Sequence, residues 1–74
     1  MLMAQRLQRA GLAFLEVRAR HRNGKAEIDE AVVETVEQQE ALTAWCGAND
    51  LPVRIARVAT PDELAEYQRW QENV

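Results

Sequence analysis

"RARHRNGKAEID", residues 18–29, decides how this chain folds. Arg18, Arg20, His21 and Arg22 lead into Asn23-Gly24, and Glu27 and Asp29 follow at once. The segment is either a basic finger or a hairpin that neutralises its own charge. Upstream, Ala13, Leu15, Val17, Ala19 and His21 alternate with Phe14, Glu16, Arg18, Arg20 and Arg22, the two-residue period of a strand. Asn-Gly is the pair that best tolerates the two positive φ angles of a type I′ turn. Downstream, Ala26, Ile28 and Val32 fall on one side of a second strand.

A two-residue loop fixes the register. Arg22 then faces Lys25, His21 faces Ala26, Arg20 faces Glu27, Ala19 faces Ile28 and Arg18 faces Asp29. Opposite charges meet on one side and apolar residues on the other, each pair contributing roughly 0.2–1 kcal/mol. A slip of one residue inverts every side chain and destroys both patterns. Glu30 opposite Val17 is the misfit, and it predicts a bulge or an early strand end. Arg18 and Arg20 are therefore read as internally neutralised, with Arg22 and Lys25 free at the tip. A helix from Ala26 onward is the competing reading; the β-branched Ile28, Val32 and Val33 oppose it.

On either side of the hairpin the signals are helical. "MLMAQRLQRAG", residues 1–11, predicts a short, loosely held helix with Leu2, Met3, Leu7 and Ala10 on one side and Gly11 as its stop. "TVEQ", residues 35–38, reads as a capping box. The helix it opens runs to about Cys46, with Gly47 as the stop and Val36, Ala41, Leu42, Ala44 and Trp45 as its apolar side. "PVRIARVA", residues 52–59, predicts a strand near an edge, because Pro52 lacks an amide donor. "TPDE", residues 60–63, places Thr60 at an N-cap, Pro61 in the first turn and Glu63 as the reciprocal cap. The last helix reaches about Gln71, with Leu64, Tyr67, Trp70 and Val74 turned inward.

The predicted order is helix, strand, strand, helix, strand, helix: an α+β fold over residues 1–74 with a three-stranded sheet and helices on one face. The third strand sits antiparallel beside the first or parallel beside the second, and a right-handed crossover is expected in the parallel case. Seventy-four residues, 47% of them hydrophobic, support one modest core. No run approaches the roughly 18 apolar residues of a membrane span, and Arg6 and Arg9 interrupt the N-terminal stretch where a signal peptide would be apolar. The single cysteine, Cys46, excludes an internal disulfide and suits a reducing cytoplasm; beside Trp45 it reads as a small buried hydrophobe.

The net charge of −3 is unevenly spread. Residues 1–25 hold six bases against one acid, a net of +5, and residues 26–74 hold three bases against eleven acids, a net of −8. Such a split points to an electrostatic partner or to two halves that neutralise each other. No glycine-rich phosphate loop, histidine pair or serine occurs, so no cofactor, metal site or serine nucleophile is expected. Thr35, Thr43 and Thr60 read as caps and helix positions, and His21 as the rim of the hairpin.

"FLEVRARHRNG" (14–24), "EAVVETVEQQEALTAW" (30–45) and "PVRIARVAT" (52–60) together resemble the second half of small bacterial predicted nucleases of the restriction-endonuclease-like superfamily, over residues 12–60. That resemblance implies a metal-binding role for Glu16 and places Arg18 where the family carries a catalytic lysine. Arginine deprotonates too poorly to replace such a lysine, and residues 1–15 contain no acid to supply the second metal ligand. The resemblance therefore implies an inactive remnant, and the chain is expected not to be an enzyme.

In size and charge the chain also resembles small phage- or mobile-element-encoded inhibitors, anti-CRISPR proteins among them. The leading expectation is a small cytoplasmic protein that binds a protein partner with a basic surface, using Glu34, Glu37, Glu40 and Trp70. The alternative is nucleic-acid binding through Arg18, Arg20, Arg22, Lys25, Arg54 and Arg57, which needs the third strand beside the first. Bipolar charge and an open sheet edge also predict a homodimer.

Overall fold

The computed structural model describes residues 2–72. Helix α1 (Met3–Arg9) precedes the hairpin strands β1 (Glu16–Arg22) and β2 (Lys25–Val33); α2 (Val36–Ala48) crosses over to β3 (Val53–Val58), and α3 (Pro61–Glu72) follows. The sheet order is β1-β2-β3, with β2 antiparallel to β1 and parallel to β3. The three-stranded sheet and the element order are as expected. β3 takes the parallel position beside β2, so the two arginine-bearing strands are the two edges and never meet.

The hairpin turns where the sequence requires it. Asn23 and Gly24 have φ of 54° and 78°, the paired left-handed conformation of a type I′ turn. Arg22↔Lys25, His21↔Ala26, Arg20↔Glu27 and Ala19↔Ile28 pair as the sequence predicts. The register then shifts, and Arg18 faces Glu30 instead of Asp29. The bulge is on β2: Asp29 is the extra residue, and the Glu30 misfit resolves into a match.

The bulge re-sorts β2. Ile28, Ala31 and Val33 belong to the core, while Val32, expected beside Ile28, pairs with Glu16 and Arg57 on the opposite face. The same interval recurs in β3, where Val53, Ala56 and Val58 turn inward.

The core sits on one face of the sheet, where Ile28, Ala31 and Val33 meet Leu7 of α1 and Leu42 and Cys46 of α2, with Leu51 closing one end. Arg6 lies over the Trp45 ring, 5.5 Å from its centroid, and ties α1 to α2. The Gln39 side-chain amide donates to the Ala56 carbonyl at 2.6 Å and ties α2 to β3. The strand alternation proposed upstream of Glu16 does not hold: Phe14 packs on the core and Leu15 is not among its residues, because residues 12–15 precede the first ladder pair.

The inward side of α2 also differs from expectation. Leu42 and Cys46 are buried and Trp45 is half-buried, whereas Ala41 and Ala44 are exposed and Val36 is 57% exposed. Positions 39, 42 and 46 recur at helical spacing, and 41 and 44 fall outside that stripe. Nor does α2 stop at Gly47, which is helical; the left-handed residue is Asp50, at φ 53°. The Leu51 amide then donates to the Cys46 carbonyl at 2.9 Å, closing a Schellman motif with Leu51 packed below it. α1 ends in the same motif: Gly11 has φ 80°, and the Leu12 amide donates to the Leu7 carbonyl at 3.1 Å.

α3 starts at the expected capping box. The Thr60 amide donates to Glu63 Oε1 at 3.0 Å, and the Glu63 amide donates to Thr60 Oγ1 at 3.2 Å. α3 buries no residue completely: Leu64 and Tyr67 are half-buried and Trp70 is 75% exposed, against the inward position expected for all three. Val74 lies outside the described residues. The reason is that α1 and α2 already cover the core face. α3 reaches the opposite face through Glu63, which pairs with Arg57, and Tyr67, whose hydroxyl donates to Glu16.

Candidate functional site: the charged sheet face and helix α3

The second sheet face is built from the residues that alternate away from the core. The acidic strand β2 lies between arginines on both sides. Arg18 on β1 pairs with Glu30; Arg20 pairs with Glu27 at 2.7 Å and reaches Asp29 at 3.7 Å. From β3, Arg54 reaches Asp29 at 3.4 Å, and Arg57 pairs with Glu30 at 2.9 Å. The bulge makes this double-sided arrangement possible, because it turns the consecutive Asp29 and Glu30 to the same face.

Arg57 is the hub. Besides Glu30 it holds both oxygens of Glu63 at 2.7 Å, a bidentate guanidinium–carboxylate fork that fixes α3. The Arg57 guanidinium, helped by the Thr60 backbone amide, pushes the Glu63 carboxyl down to about 2. Arg57 and then Arg18 likewise hold Glu30 below the usual carboxylate range. Hydrogen bonding to the Glu16 carboxylate pushes the Tyr67 phenol up to about 12. Between Glu16 and Arg57 sits Val32, only 1% exposed, on the face away from the core cluster, the one α3 reaches through Glu63 and Tyr67.

The residues expected to bind nucleic acid are thereby divided. Arg18, Arg20, Arg54 and Arg57 are engaged by carboxylates, and Arg22 and Lys25 have no ion-pair partner among the described residues. β3 lies beside β2, so the single basic sheet that reading required is not formed. Of the residues the nuclease resemblance singles out, Glu16 accepts from Tyr67 and Arg18 is held by Glu30. No group of three His, Cys, Asp or Glu residues placed to hold a metal occurs among the described residues. Burial pushes the Cys46 thiol up, with Arg6 opposing.

The residues expected to bind a protein are divided too. Glu34, Glu37 and Glu40 are exposed around the start of α2, where the Gln38 side chain accepts from the Glu34 and Thr35 amides at 2.8 and 3.2 Å. Trp70 lies elsewhere, in a shallow cleft on α3 lined by Glu63, Glu66, Tyr67 and Trp70. Tyr67 is expected only as an inward residue of the last helix, and Glu66 is not among the residues the sequence singles out. The available signal was the four-residue interval between Glu66 and Trp70, which puts an acid and an indole side by side on one helix face.

Comparison with protein-family models, curated proteins and solved structures finds no match. No helix among the described residues is long and apolar enough to cross a membrane.

Proposed function

We propose that this protein acts by binding another protein through the outer side of α3, with Trp70 as the anchor and Glu66 and its acidic neighbours selecting a basic partner surface. One observation carries the reading: a tryptophan 75% exposed, in a cleft with Glu63 and Glu66, on a helix with no fully buried residue. Exposing an indole is costly in water, and aromatic anchors beside charged rims dominate protein interfaces. The neutralised arginines support the same direction, since most of the basic sheet residues already hold carboxylates. The role proposed is binding without catalysis, in the cytoplasm. Inhibition of a bacterial system, as by the phage- or mobile-element-encoded inhibitors the chain resembles in size and charge, is the biological setting we attach to it.

The test is capture from a bacterial lysate by the immobilised full chain, run in parallel with Trp70→Ala and Glu66→Lys. A protein retained by the wild type and lost with both variants is the expected result. Capture indifferent to both substitutions removes the reading. So does tight binding of labelled DNA or RNA with a steep salt dependence that substitution of Arg22 and Lys25 abolishes.

A further inference from the structure

α1 is only seven residues long and leaves part of the hairpin's inner face uncovered. The uncovered part is a groove of about 390 Å³, floored by Met3, Val17, Ala19 and Ala26, with Leu2 at its mouth. Leu2 is 72% exposed. Ala4, His21, Arg6 and Arg20 complete the lining; Arg20 is held by Glu27, so among the described residues Arg6 is the free cation at the edge of an apolar floor. α3 presents Trp70 beside Glu66, with Asp62 in its first turn and the neighbouring Glu63 already held by Arg57.

We infer that the groove between α1 and the hairpin takes the Trp70 side of α3 from a second copy of this chain. The inference rests on the proposed role of α3 as a docking helix and names a partner for it. Three features favour a second copy as occupant. Arg6 edges the groove and Glu66 flanks Trp70, and neither has an ion-pair partner among the described residues, so one copy's rim complements the other's helix. The groove is larger than one indole side chain. Both surfaces expose a large apolar residue, Leu2 on one and Trp70 on the other, and docking removes both from water. The contact is heterologous, because the two surfaces differ, so each copy carries one donor helix and one acceptor groove. Self-association therefore occupies the surface a foreign partner uses, and partner binding and assembly compete.

Sedimentation of the full chain at roughly 100 µM in about 20 mM and about 0.5 M NaCl tests this. The wild type sediments above the monomer mass at low salt and as monomer at high salt. Trp70→Ala and Leu2→Glu, both at exposed positions, keep the far-UV circular dichroism of the wild type and each weaken assembly about tenfold or more. The decisive sample is their equimolar mixture. Trp70→Ala retains the groove and Leu2→Glu retains the helix, so together they form one intact contact and associate more than either alone. A wild type that is monomeric at low salt overturns the inference, as does a Trp70→Ala variant that assembles like the wild type or a mixture no more associated than its parts. If the wild type is monomeric while lysate capture still depends on Trp70, the second copy is rejected and the foreign-partner reading stands.

Discussion

Asp50 shows how a single residue can sit against its own preference. It ends α2 in the left-handed conformation, which costs an L-residue energy that glycine does not bear. Asp50→Gly is expected to stabilise the protein by about 0.5–1 kcal/mol, read as a higher urea midpoint. The four-residue interval from Leu42 to Cys46 sets the buried side of α2, and Leu42 is wholly inaccessible. Leu42→Ala is expected to cost about 2–5 kcal/mol, measured by the same unfolding curves; a cost under about 1 kcal/mol would show that the site collapses around the loss. Cys46, Asn23 and Thr60 were readable in the sequence because their roles are local: a small apolar residue on a helix, a turn residue, a cap. Val32 was not. Its face depends on a bulge three residues earlier, and the Glu30 misfit, which leaves a bulge and an early strand end both open, does not say at which residue the register shifts.

At the scale of elements, the hairpin and α3 follow different physics. The hairpin is set by turn chemistry and cross-strand pairing, and only the position of its bulge depends on the partner strands. α3 is set by capping but held by ion pairs, so its attachment depends on pH. Glu63 titrates near 2 in the fold against an ordinary 4.5. A lowered carboxyl pKa contributes stability that is present above 4.5 and is lost as pH falls toward 2. Glu30, lowered by the same arginine, acts in the same direction. The urea midpoint is expected to fall across that acidic window, and Glu63→Gln, which keeps the capping acceptor but cannot titrate, is expected to flatten the fall. An unchanged acid profile in the variant would show that Glu63 does not carry it. Tyr67 works at the other extreme. Its pKa is raised from 10 to about 12, so its contribution is present below 10 and is lost as pH rises toward 12. Ultraviolet titration of the phenol should show the raised midpoint, and Glu16→Gln should return it toward 10.

For the whole molecule, charge is organised in space differently from along the chain. β1 from the basic first third, the acidic β2 and β3, an arginine-bearing strand within the acidic remainder, lie side by side as arginine strand, acidic strand, arginine strand. These pairs are partly exposed and screened by salt, so the unfolding midpoint is expected to be lower at about 0.5 M than at about 0.05 M NaCl. A midpoint that rises with salt would mean that like-charge repulsion outweighs the pairs. The charge split left two arrangements open, because charge alone does not say which strand lies next to which. The candidate site was less readable than the fold. Trp70 is expected both as a candidate partner contact and as an inward residue; the inward reading follows from helical spacing, which cannot tell which of two sheet faces a helix will meet, and Trp70 is exposed.

What the sequence determined by itself is therefore local: the type I′ turn at Asn23-Gly24, the two capping boxes, the element order and the first four hairpin pairs. Each depends on residues within a few positions or on a register that one turn fixes. Tertiary structure decided the rest: β3 beside β2, the bulge at Asp29, Val32 on the second face and Trp70 in solvent. These depend on competition for one sheet. Once α1 and α2 occupy the core face, α3 is left with a face of paired charges, which anchors it by Arg57 and Glu16 and leaves its tryptophan exposed.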